Sequence, residues 1–484
     1  MAIALGGYTD ARPRRRSPGQ DGRPGSWWLP AGNGGNPYRH SNSGTSGPDA
    51  RMTGDVPDSL VPGAAGAPGD EHSEAAPPAP GELSAIDFRA LKKSFAQLEP
   101  QSDKLMAYFF ASLFVRNPEF RAMFPLAMGG QRRRLFDALA RCVWGADEPE
   151  SLSDYLRQLA RDHRRYGVLD QHYRAFCDTL LGALQAFGGP GWSERAGDAW
   201  RALLGHAATI MAEAAREASG EPAWWVGEVV GHDRRGPDVA VLTLRTEPAA
   251  GLCYRSGQYL DIQVPRWPRV WRSYSIANAP RPDGTVDLHV RAIPGGRVSS
   301  ALVGQTGVGD AVLIGPARGQ MTAASASSGT VLCVAGGTGL APLKAIAEEL
   351  ASPARAPEPP QVRLLVAARD ERDLYDLAGL DELAADRPAL KITPVVPGSR
   401  GDEHGQGVLA AMARHLPAGP ADVFVCGPPG MVRAALRLAG EQAPHLRVHA
   451  DAPGSWRDGR RAAPCQRRTP AAAAPMPVPG AARG

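Results

Sequence analysis

An arginine, a tyrosine and two serines occur together in segment 271–275, Trp-Arg-Ser-Tyr-Ser, one strand's length after Gly257-Gln258-Tyr259. An arginine can bind a diphosphate, a tyrosine ring can stack on a flat heterocycle, and a serine can donate a hydrogen bond. On one strand of a barrel, these groups together suit a flavin dinucleotide. Taken alone, the same residues are more often part of an ordinary edge strand, so the interpretation depends on the other motifs.

Two glycine-rich segments follow apolar runs further along the chain. The first is Gly-Gly-Thr-Gly-Leu-Ala-Pro at 336–342, and the second is Cys-Gly-Pro-Pro-Gly-Met at 426–431. Glycines in such a turn let backbone amides approach the pyrophosphate of a dinucleotide at a helix N-terminus. A turn of this kind is often only a tight connection, but its place directly after a buried strand favours nucleotide binding.

The composition narrows the class of protein. The chain has 484 residues and a formal net charge of +4, with arginines clustered at 12–16 and 457–468. Solvated tails are the commoner explanation of such runs, so no nucleic-acid partner is predicted. The six cysteines show no Cys-x-x-Cys pair and no metal-ligand spacing, which favours free thiols in the cytoplasm. No apolar run reaches the length of a membrane span, and no secretory signal is predicted.

Five segments differ in their patterns. Residues 1–82 are rich in Gly, Pro and Ser, and residues 453–484 are rich in Arg, Ala and Pro, so both are predicted to be disordered tails. Residues 83–219 carry apolar side chains at helical spacing and predict an all-α domain. Residues 222–322 alternate as the strands of a small antiparallel barrel do. Residues 328–452 alternate buried strands with helices, which predicts a parallel α/β nucleotide-binding domain.

The helical segment contains histidines that could bind a metal ion. His163 continues the apolar helical pattern of Leu156 and Leu159 at the end of a predicted helix. A lone histidine at such a boundary is more often a surface or core residue than a ligand. His172 and His206 are the competing candidates.

From about residue 83 to residue 451, the chain resembles the flavohaemoglobins, in which a globin domain is fused to a ferredoxin-reductase-like FAD and NAD(P)H module. On the globin side, the resemblance rests on segment 161–168, which contains His163, on His172-Tyr173, and on the bend at 117–125. It implies a multidomain fold: an all-α globin, then an antiparallel β-barrel FAD domain, then an α/β parallel-sheet NAD(P)-binding domain. The implied cofactors are haem b, FAD and NAD(P)H.

The resemblance assigns roles in the haem pocket. It makes His163 the iron ligand, with Tyr173 forming hydrogen bonds beside it. Gln131 and Leu135 would face the opposite side of the haem, where a position is left open for O₂ or NO. Phe110 aligns with the tyrosine that the family uses to stabilise bound O₂.

Three positions depart from the family pattern. Phe110 replaces the distal tyrosine, and Tyr108 is expected to point to roughly the opposite side of the helix. Ala215 stands where the family has a glutamate on its last helix. Pro453 stands where the family has an aromatic residue that covers the flavin, although Asp451 keeps the nearby acid. These departures predict a haem pocket that is more apolar and retains O₂ less well.

In the reductase half, the resemblance implies that Arg272 binds the FAD pyrophosphate, Tyr274 stacks on the isoalloxazine and Ser275 bonds its N5 edge. The other residues that it places around FAD are Tyr259, Ser273, His289, Arg291, Gly296, Val298, Ser299 and Asp451. Those that it places around NAD(P)H are Gly336, Gly337, Thr338, Gly339, Leu340, Pro342, Cys426, Gly427, Pro428 and Met431. Arg369 and Arg372 could meet a 2′-phosphate, so NADH and NADPH both stay open.

These features favour a nitric oxide dioxygenase that uses O₂ and NO as substrates and acts as a monomer. Two alternatives stay open. One is an NAD(P)H-dependent haem or flavin reductase or oxidase without NO specialisation, and the other is a non-enzymatic redox or gas sensor.

Overall fold

The structure, a computed structural model, describes residues 87–246, 251–355, 358–397 and 407–450. Both predicted tails lie outside the described residues, as do Asp451 and Pro453. Within these ranges, no helix combines the length and the apolar character needed to cross a bilayer.

The described chain begins with a helical domain. Its helices are α1 (Phe88–Leu98), α2 (Ser102–Arg116), α3 (Gly129–Trp144), α4 (Pro149–Arg164), α5 (Asp170–Phe187) and α6 (Glu194–Glu217). The side chains of Asp87 and Ser193 cap α1 and α6, accepting from the backbone N–H groups of Ala90 and Ala196. Apolar faces of these helices form one core around the fully buried Trp200.

An antiparallel sheet follows. Its strands are β1 (Trp225–Arg234), β2 (Val239–Thr246), β3 (Tyr259–Gln263), β4 (Arg272–Ser275), β5 (Thr285–Arg291) and β6 (Ala311–Ile314). The order is β4-β3-β6-β1-β2-β5, and a bridge between Ile276 and Leu288 brings the two edges together. The sheet is therefore a nearly closed barrel, and helix α7 (Arg297–Gly304) follows β5.

The last domain is a parallel sheet with helices. Its strands are β7 (Thr330–Gly336), β8 (Gln361–Ala367), β9 (Leu390–Val395), β10 (Asp422–Cys426) and β11 (Arg447–Ala450). Its helices are α8 (Leu340–Leu350), α9 (Leu377–Ala385), α10 (Gly407–His415) and α11 (Pro429–Gln442). The strand order β11-β10-β7-β8-β9 puts later strands on both sides of β7. The predicted fold class, an all-α domain followed by an antiparallel barrel and a parallel α/β domain, is confirmed.

One buried carboxylate joins the strands of the parallel sheet to the segment before it. Asp422 is fully buried at the start of β10 and accepts hydrogen bonds from the backbone N–H groups of Ser327 and Ser328, each at 2.9 Å. His449 and Arg447 on β11 contact the same carboxylate, each at 3.0 Å. Burial opposes ionisation of Asp422, but these hydrogen bonds hold its pKa at about 2.

Candidate active site

The histidine that the sequence singles out lies in the last turn of α4. His163 is 0% exposed, and its ring centroid lies 6.4 Å from that of Tyr173 on α5. Tyr173 is also buried, and its hydroxyl forms no hydrogen bond to any residue that the structure describes. Burying such a hydroxyl is costly unless a further group completes it. A buried imidazole beside an unsatisfied hydroxyl fits the axial ligand of a haem and its neighbour.

The two competing histidines have other surroundings. The Nδ1 atom of His172 accepts a hydrogen bond of 2.9 Å from the backbone N–H of Leu169 and so closes the start of α5. His172 also packs edge-on against Phe120, with ring centroids 4.9 Å apart. His206 is only half-buried on α6. Among the three, His163 is the one fully enclosed by the helical core.

The position of the expected distal tyrosine is enclosed by aromatic rings. Phe110 is 3% exposed, and its ring centroid lies 4.9 Å from that of Phe109, 5.5 Å from that of Phe124 and 5.9 Å from that of Phe114. Tyr108 is 48% exposed and packs against Phe187 instead. The hydroxyl of Tyr108 therefore lies away from the core that contains Phe110.

Gln131 provides a polar group at the start of α3. It is buried, and its Oε1 atom accepts a hydrogen bond of 2.7 Å from Nε of Arg134, with a second from the same guanidinium. Because a guanidinium only donates, the amide oxygen must face Arg134 and the amide NH₂ must point elsewhere. Leu135, one turn further along α3, is fully buried. Gln131 thus offers a fixed amide donor on the same helix face as Leu135.

The last helix supplies no carboxylate at position 215. Ala215 is half-buried on α6, and Glu217 forms exposed ion pairs with Arg157 at 3.1 Å and Arg161 at 3.9 Å on α4. Burial lowers the pKa of His206, and the nearby charge of Glu213 opposes that shift only in part. Both glutamates thus have other neighbours, and position 215 itself carries an alanine in place of the acid of the family pattern.

The register of β3 and β4 sorts the flavin-motif residues onto two faces. Tyr274 pairs with Leu260, whereas Ser273 pairs with Asp261 and Ser275 with Tyr259. Because side chains alternate along a strand, Arg272 and Tyr274 share one face, and the two serines share the other. The Arg272 guanidinium is exposed and donates to the carbonyl of Trp271 at 2.8 Å.

Ser273 has a protein partner of its own. Its Oγ atom donates to Oδ1 of Asp261 at 2.6 Å. The resemblance places Ser273 around FAD, which stays a prediction; the hydroxyl itself is bonded to a buried carboxylate of β3. Arg272 is exposed and Tyr274 is half-buried on the face of β4 that they share, so both side chains are accessible to a flavin; the roles of Ser273 and Ser275 stay predictions.

His289 and Arg291 on β5, which the resemblance places around FAD, contact protein groups other than the residues of β4. A ring nitrogen of the buried His289 lies 2.9 Å from the Tyr375 hydroxyl of the α/β domain, and burial lowers the pKa of His289 to about 4. The imidazole is therefore neutral at neutral pH. Arg291 forms a 2.7 Å ion pair with Asp238. Both side chains are thus committed to neighbouring protein groups.

The turn before α7 leaves space only for a glycine. A Cβ atom at Gly296 would lie 2.4 Å from Oγ of Ser299 and 2.5 Å from the side chain of Ile293. The Ser299 hydroxyl accepts a 3.3 Å hydrogen bond from the Ile293 backbone. Val298 packs into the barrel core. The start of α7 is therefore available to a phosphate through its backbone, since the predicted side chains are used for packing.

The two glycine-rich motifs meet at the carboxyl ends of neighbouring strands β7 and β10. A Cβ atom at Gly336 would lie 2.7 Å from Sδ of Met431, and one at Gly339 would lie 2.4 Å from the carbonyl oxygen of Cys426. Gly337 has a φ of +55° and open space around it. The strand order reverses here, and ligands of parallel α/β sheets bind at such a crevice.

The remaining predicted residues of these motifs lie around the same crevice. Leu340 and Pro342 are buried in the first turn of α8, and Thr338 precedes it. Gly427 and Pro428 connect β10 to α11, where a Cβ atom at Gly427 would lie 3.1 Å from Gly336. These contacts explain the glycines by close backbone approach and fit a dinucleotide held by amides.

A small cleft extends from this crevice beyond the ends of β7 and β8. Gly337, Leu340, Ala367 and the segment 373–377 line it. Nearby, Arg372 is paired with Asp370 at 3.1 Å, and its side chain is 91% exposed. Arg369 is also exposed.

Three family models match the chain in the order of the three domains. They are Globin at residues 107–211, Oxidoreductase FAD-binding domain at 227–322 and Oxidoreductase NAD-binding domain at 333–437. The Flavohemoprotein of Bordetella pertussis is 27% identical over 400 residues, which cover 76% of this chain and 98% of that protein. The chain belongs to the flavohaemoglobin family. It is an NAD(P)H-dependent flavohaemoprotein oxidoreductase, and its expected cofactors, haem, FAD and NAD(P)H, are confirmed by the three domains.

Other relatives divide between the whole flavohaemoglobin and its reductase half. The flavohemoglobin of Malassezia yamatoensis, solved with bound FAD and heme, covers 75% of this chain and 98% of its own, with a TM-score of 0.58 and 17% identity. That likeness concerns the fold. The xylene/toluene monooxygenase electron transfer component XylA of Pseudomonas putida is 34% identical over 200 residues. The match of the present chain covers 56% of the length of XylA.

Several residues around the sites of this flavohaemoglobin were not predicted from the sequence. Asp261 lies on β3 next to the β4 residue Ser273, and Tyr375 and Asp376 of the α/β domain lie beside His289 of the barrel. Arg134 holds the amide of Gln131. A guanidinium three residues after a glutamine on a helix is a usable local signal, whereas the others depend on contacts between distant segments.

Proposed function

We propose that this flavohaemoglobin is a nitric oxide dioxygenase, which combines O₂ with NO to form nitrate using electrons from NAD(P)H. The observation that carries the proposal is the fully buried His163, whose neighbours Asp162 and Arg165 bond to Arg318 and Asp261 of the FAD domain. A histidine in that place can hold a haem directly beside the domain that reduces it. When bound, NAD(P)H supplies a hydride, FAD converts it into single electrons, and the haem iron binds O₂.

On the haem side, each proposed residue has one task. His163 would bind the iron through its imidazole, and the Tyr173 hydroxyl would complete its hydrogen bonding near that ligand. Phe110 and Leu135 would exclude water from the distal side. Gln131 would donate its amide N–H to the bound substrate, because Arg134 holds the amide oxygen in the other direction.

On the reductase side, backbone and charge do most of the positioning. Arg272 would bind the FAD diphosphate, and Tyr274 would cover one face of the flavin ring. The amides of Gly337 to Gly339 would hold the dinucleotide pyrophosphate at the start of α8. Cys426 and Gly427 would lie beside the nicotinamide, because their motif packs directly on Gly339 at the same crevice.

A second candidate keeps the same electron route without the NO specialisation. Phe110 and Ala215 favour it, because each replaces a polar side chain that the family pattern places at the haem. In that case the protein would pass electrons to O₂, free flavins or another acceptor.

One stopped-flow experiment separates these functions. Purified protein loaded with haem and FAD is mixed with NO in the presence or absence of O₂ and NAD(P)H. A dioxygenase consumes NO and forms nitrate only when O₂ and NAD(P)H are both present. Oxidation of NAD(P)H without consumption of NO would favour the reductase or oxidase, and no turnover of NAD(P)H would favour a sensor.

A further inference from the structure

Arg165, two positions after His163, reaches from the globin domain into the FAD domain. Arg165 donates from Nη1 to Oδ2 of Asp261 on β3 at 2.8 Å, and its guanidinium carbon lies 4.8 Å from the ring centroid of Trp271. The side chain of Arg165 is 1% exposed. A buried arginine that both stacks on an indole and donates to a carboxylate is held in one orientation.

A second arginine crosses the same boundary in the opposite direction. Arg318, which follows β6, donates from Nη1 to Oδ2 of Asp162 at 2.9 Å and to Oδ2 of Asp261 at 3.4 Å. Gln158 on α4 also donates to Asp162, at 3.1 Å. We name Asp162, Arg165, Asp261 and Arg318 the interdomain charge cluster. Each domain contributes one acid and one base, so the cluster has no net charge.

The cluster connects α4, which carries His163, to β4, which carries Arg272 and Tyr274, through a few contacts. Asp162 directly precedes His163, and Arg165 follows it by two positions. On the other side, Asp261 accepts the hydroxyl of Ser273, which stands between Arg272 and Tyr274 on β4. A continuous series of hydrogen bonds therefore connects the sequence neighbours of the proposed haem ligand in the globin domain with the strand of the proposed flavin-binding residues in the FAD domain.

The close fit of the cluster makes its geometry specific. A Cβ atom at Gly315 would lie 3.3 Å from Cβ of Asp261 and 3.4 Å from Nη1 of Arg165. The glycine thus lets the arginine approach. Removing one member of a buried charge group leaves its partners uncompensated, whereas apolar contacts alone would tolerate sliding of the two surfaces.

We propose that the interdomain charge cluster positions the flavin domain against the proximal side of the globin domain for electron transfer from flavin to haem. Its four members are positioning residues, and none of them needs to touch a cofactor. The inference rests on the proposed electron route, but it does not require that NO be the substrate.

The test compares three single variants and the double variant Arg165→Met/Asp261→Asn with one control in the full-length protein. Arg165→Met removes the positive charge, and Asp261→Asn removes the negative charge but keeps the shape of the side chain. Arg165→Lys keeps the positive charge but loses the planar guanidinium with its several N–H donors. Arg245→Met is the control, because Arg245 forms an exposed 2.8 Å ion pair with Glu228 in the same barrel. Anaerobic stopped-flow mixing with NAD(P)H follows flavin reduction and haem reduction separately, and small-angle X-ray scattering of the protein without turnover follows domain docking.

We expect Arg165→Met and Asp261→Asn to slow haem reduction at least about tenfold, the effect of a 1.4 kcal/mol loss of docking. Flavin reduction should stay within about twofold, because the NAD(P)H site is untouched, and the scattering radius should increase. The double variant should be no slower than the worse single variant, since both substitutions break the same contact between Arg165 and Asp261. Arg165→Lys should recover part of the rate.

Unchanged haem reduction together with an unchanged scattering radius in Asp261→Asn would overturn the inference. If Arg165→Met does not fold, Asp261→Asn and Arg165→Lys are sufficient for the test. Failure of the proposed function has a different signature. A wild-type protein that reduces its haem rapidly but consumes no NO would refute the dioxygenase, while dependence of that reduction on Arg165 would still support the cluster.

Discussion

Replacing Phe110 with tyrosine introduces a hydroxyl at the position where the family pattern expects one. The side chain is 3% exposed in α2, so the hydroxyl would be withdrawn from water. Whether it finds a partner depends on a ligand bound at the haem. The substitution therefore has opposite effects on the protein alone and on its complex with O₂.

Both effects can be given a magnitude. Without ligand, the hydroxyl would lie among three phenylalanine rings with centroids 4.9, 5.5 and 5.9 Å from that of Phe110. An unpartnered buried hydroxyl lowers the free energy of unfolding by about 1–3 kcal/mol. With O₂ bound, a hydrogen bond to a partly charged acceptor stabilises the complex by about 1.5–3 kcal/mol. That gain corresponds to O₂ release slower by roughly ten- to a hundredfold.

The assay is stopped-flow O₂ dissociation from the reduced protein, together with urea unfolding of the deoxy form. Phe109→Tyr is the matched control, because Phe109 is also fully buried in α2 but packs against Phe176 at 4.9 Å. The control should lose stability without slowing O₂ release. If Phe110→Tyr is folded, binds haem and releases O₂ at the wild-type rate, then Phe110 does not face the ligand and our placement of the distal side is wrong.

Four further predictions concern separate parts of the molecule. His163→Ala should abolish the haem absorbance and leave FAD bound, because the flavin lies in another domain; a variant that keeps normally coordinated haem would contradict the ligand assignment. Arg272→Ala should lose FAD and keep a haem that NAD(P)H no longer reduces, as the two absorbance spectra would show. Gly339→Ala should weaken NAD(P)H binding without loss of FAD, since its Cβ atom would lie 2.4 Å from a carbonyl oxygen; equal affinity in a titration would count against the crevice. The pKa of Asp422 is about 2 in the folded protein, below the ordinary value of 3.8, so its contribution is present above pH 3.8 and is lost as the pH falls towards 2. Chemical unfolding should show that the wild type loses about 2 kcal/mol more than Asp422→Asn over that window, and parallel pH profiles would exclude this role.

The sequence is informative where a pattern repeats several times within one element. The long amphipathic helices are of this kind, because several turns give the same answer, whereas the buried strand β7 is recognised as an uninterrupted apolar run. Strands β6 and β11 have four residues each, too few for an alternation to be recognised. Their positions depend on pairing with β1 and β10, which a local pattern does not contain.

The candidate site divides in the same way. His163, Arg272 and the glycine-rich turns could be identified because their chemistry is local in the sequence. The partner of Ser273 could not, since Asp261 is polar and lies in a strand that reads as part of the core. Likewise, Arg165 and Asp261 are 96 positions apart, and only docking of two domains brings them together.

The interdomain charge cluster also restricts how this protein can exchange parts with its relatives. Its complementarity is divided between the two halves, so neither half carries the whole interaction. A chimera that joins this globin domain to another reductase would need an acid opposite Arg165 and a base opposite Asp162. Without both, it would bury unmatched charges at the junction. Recombination within the family is therefore expected to succeed between halves that share this charge pattern, and single changes on one side should be followed by compensating changes on the other.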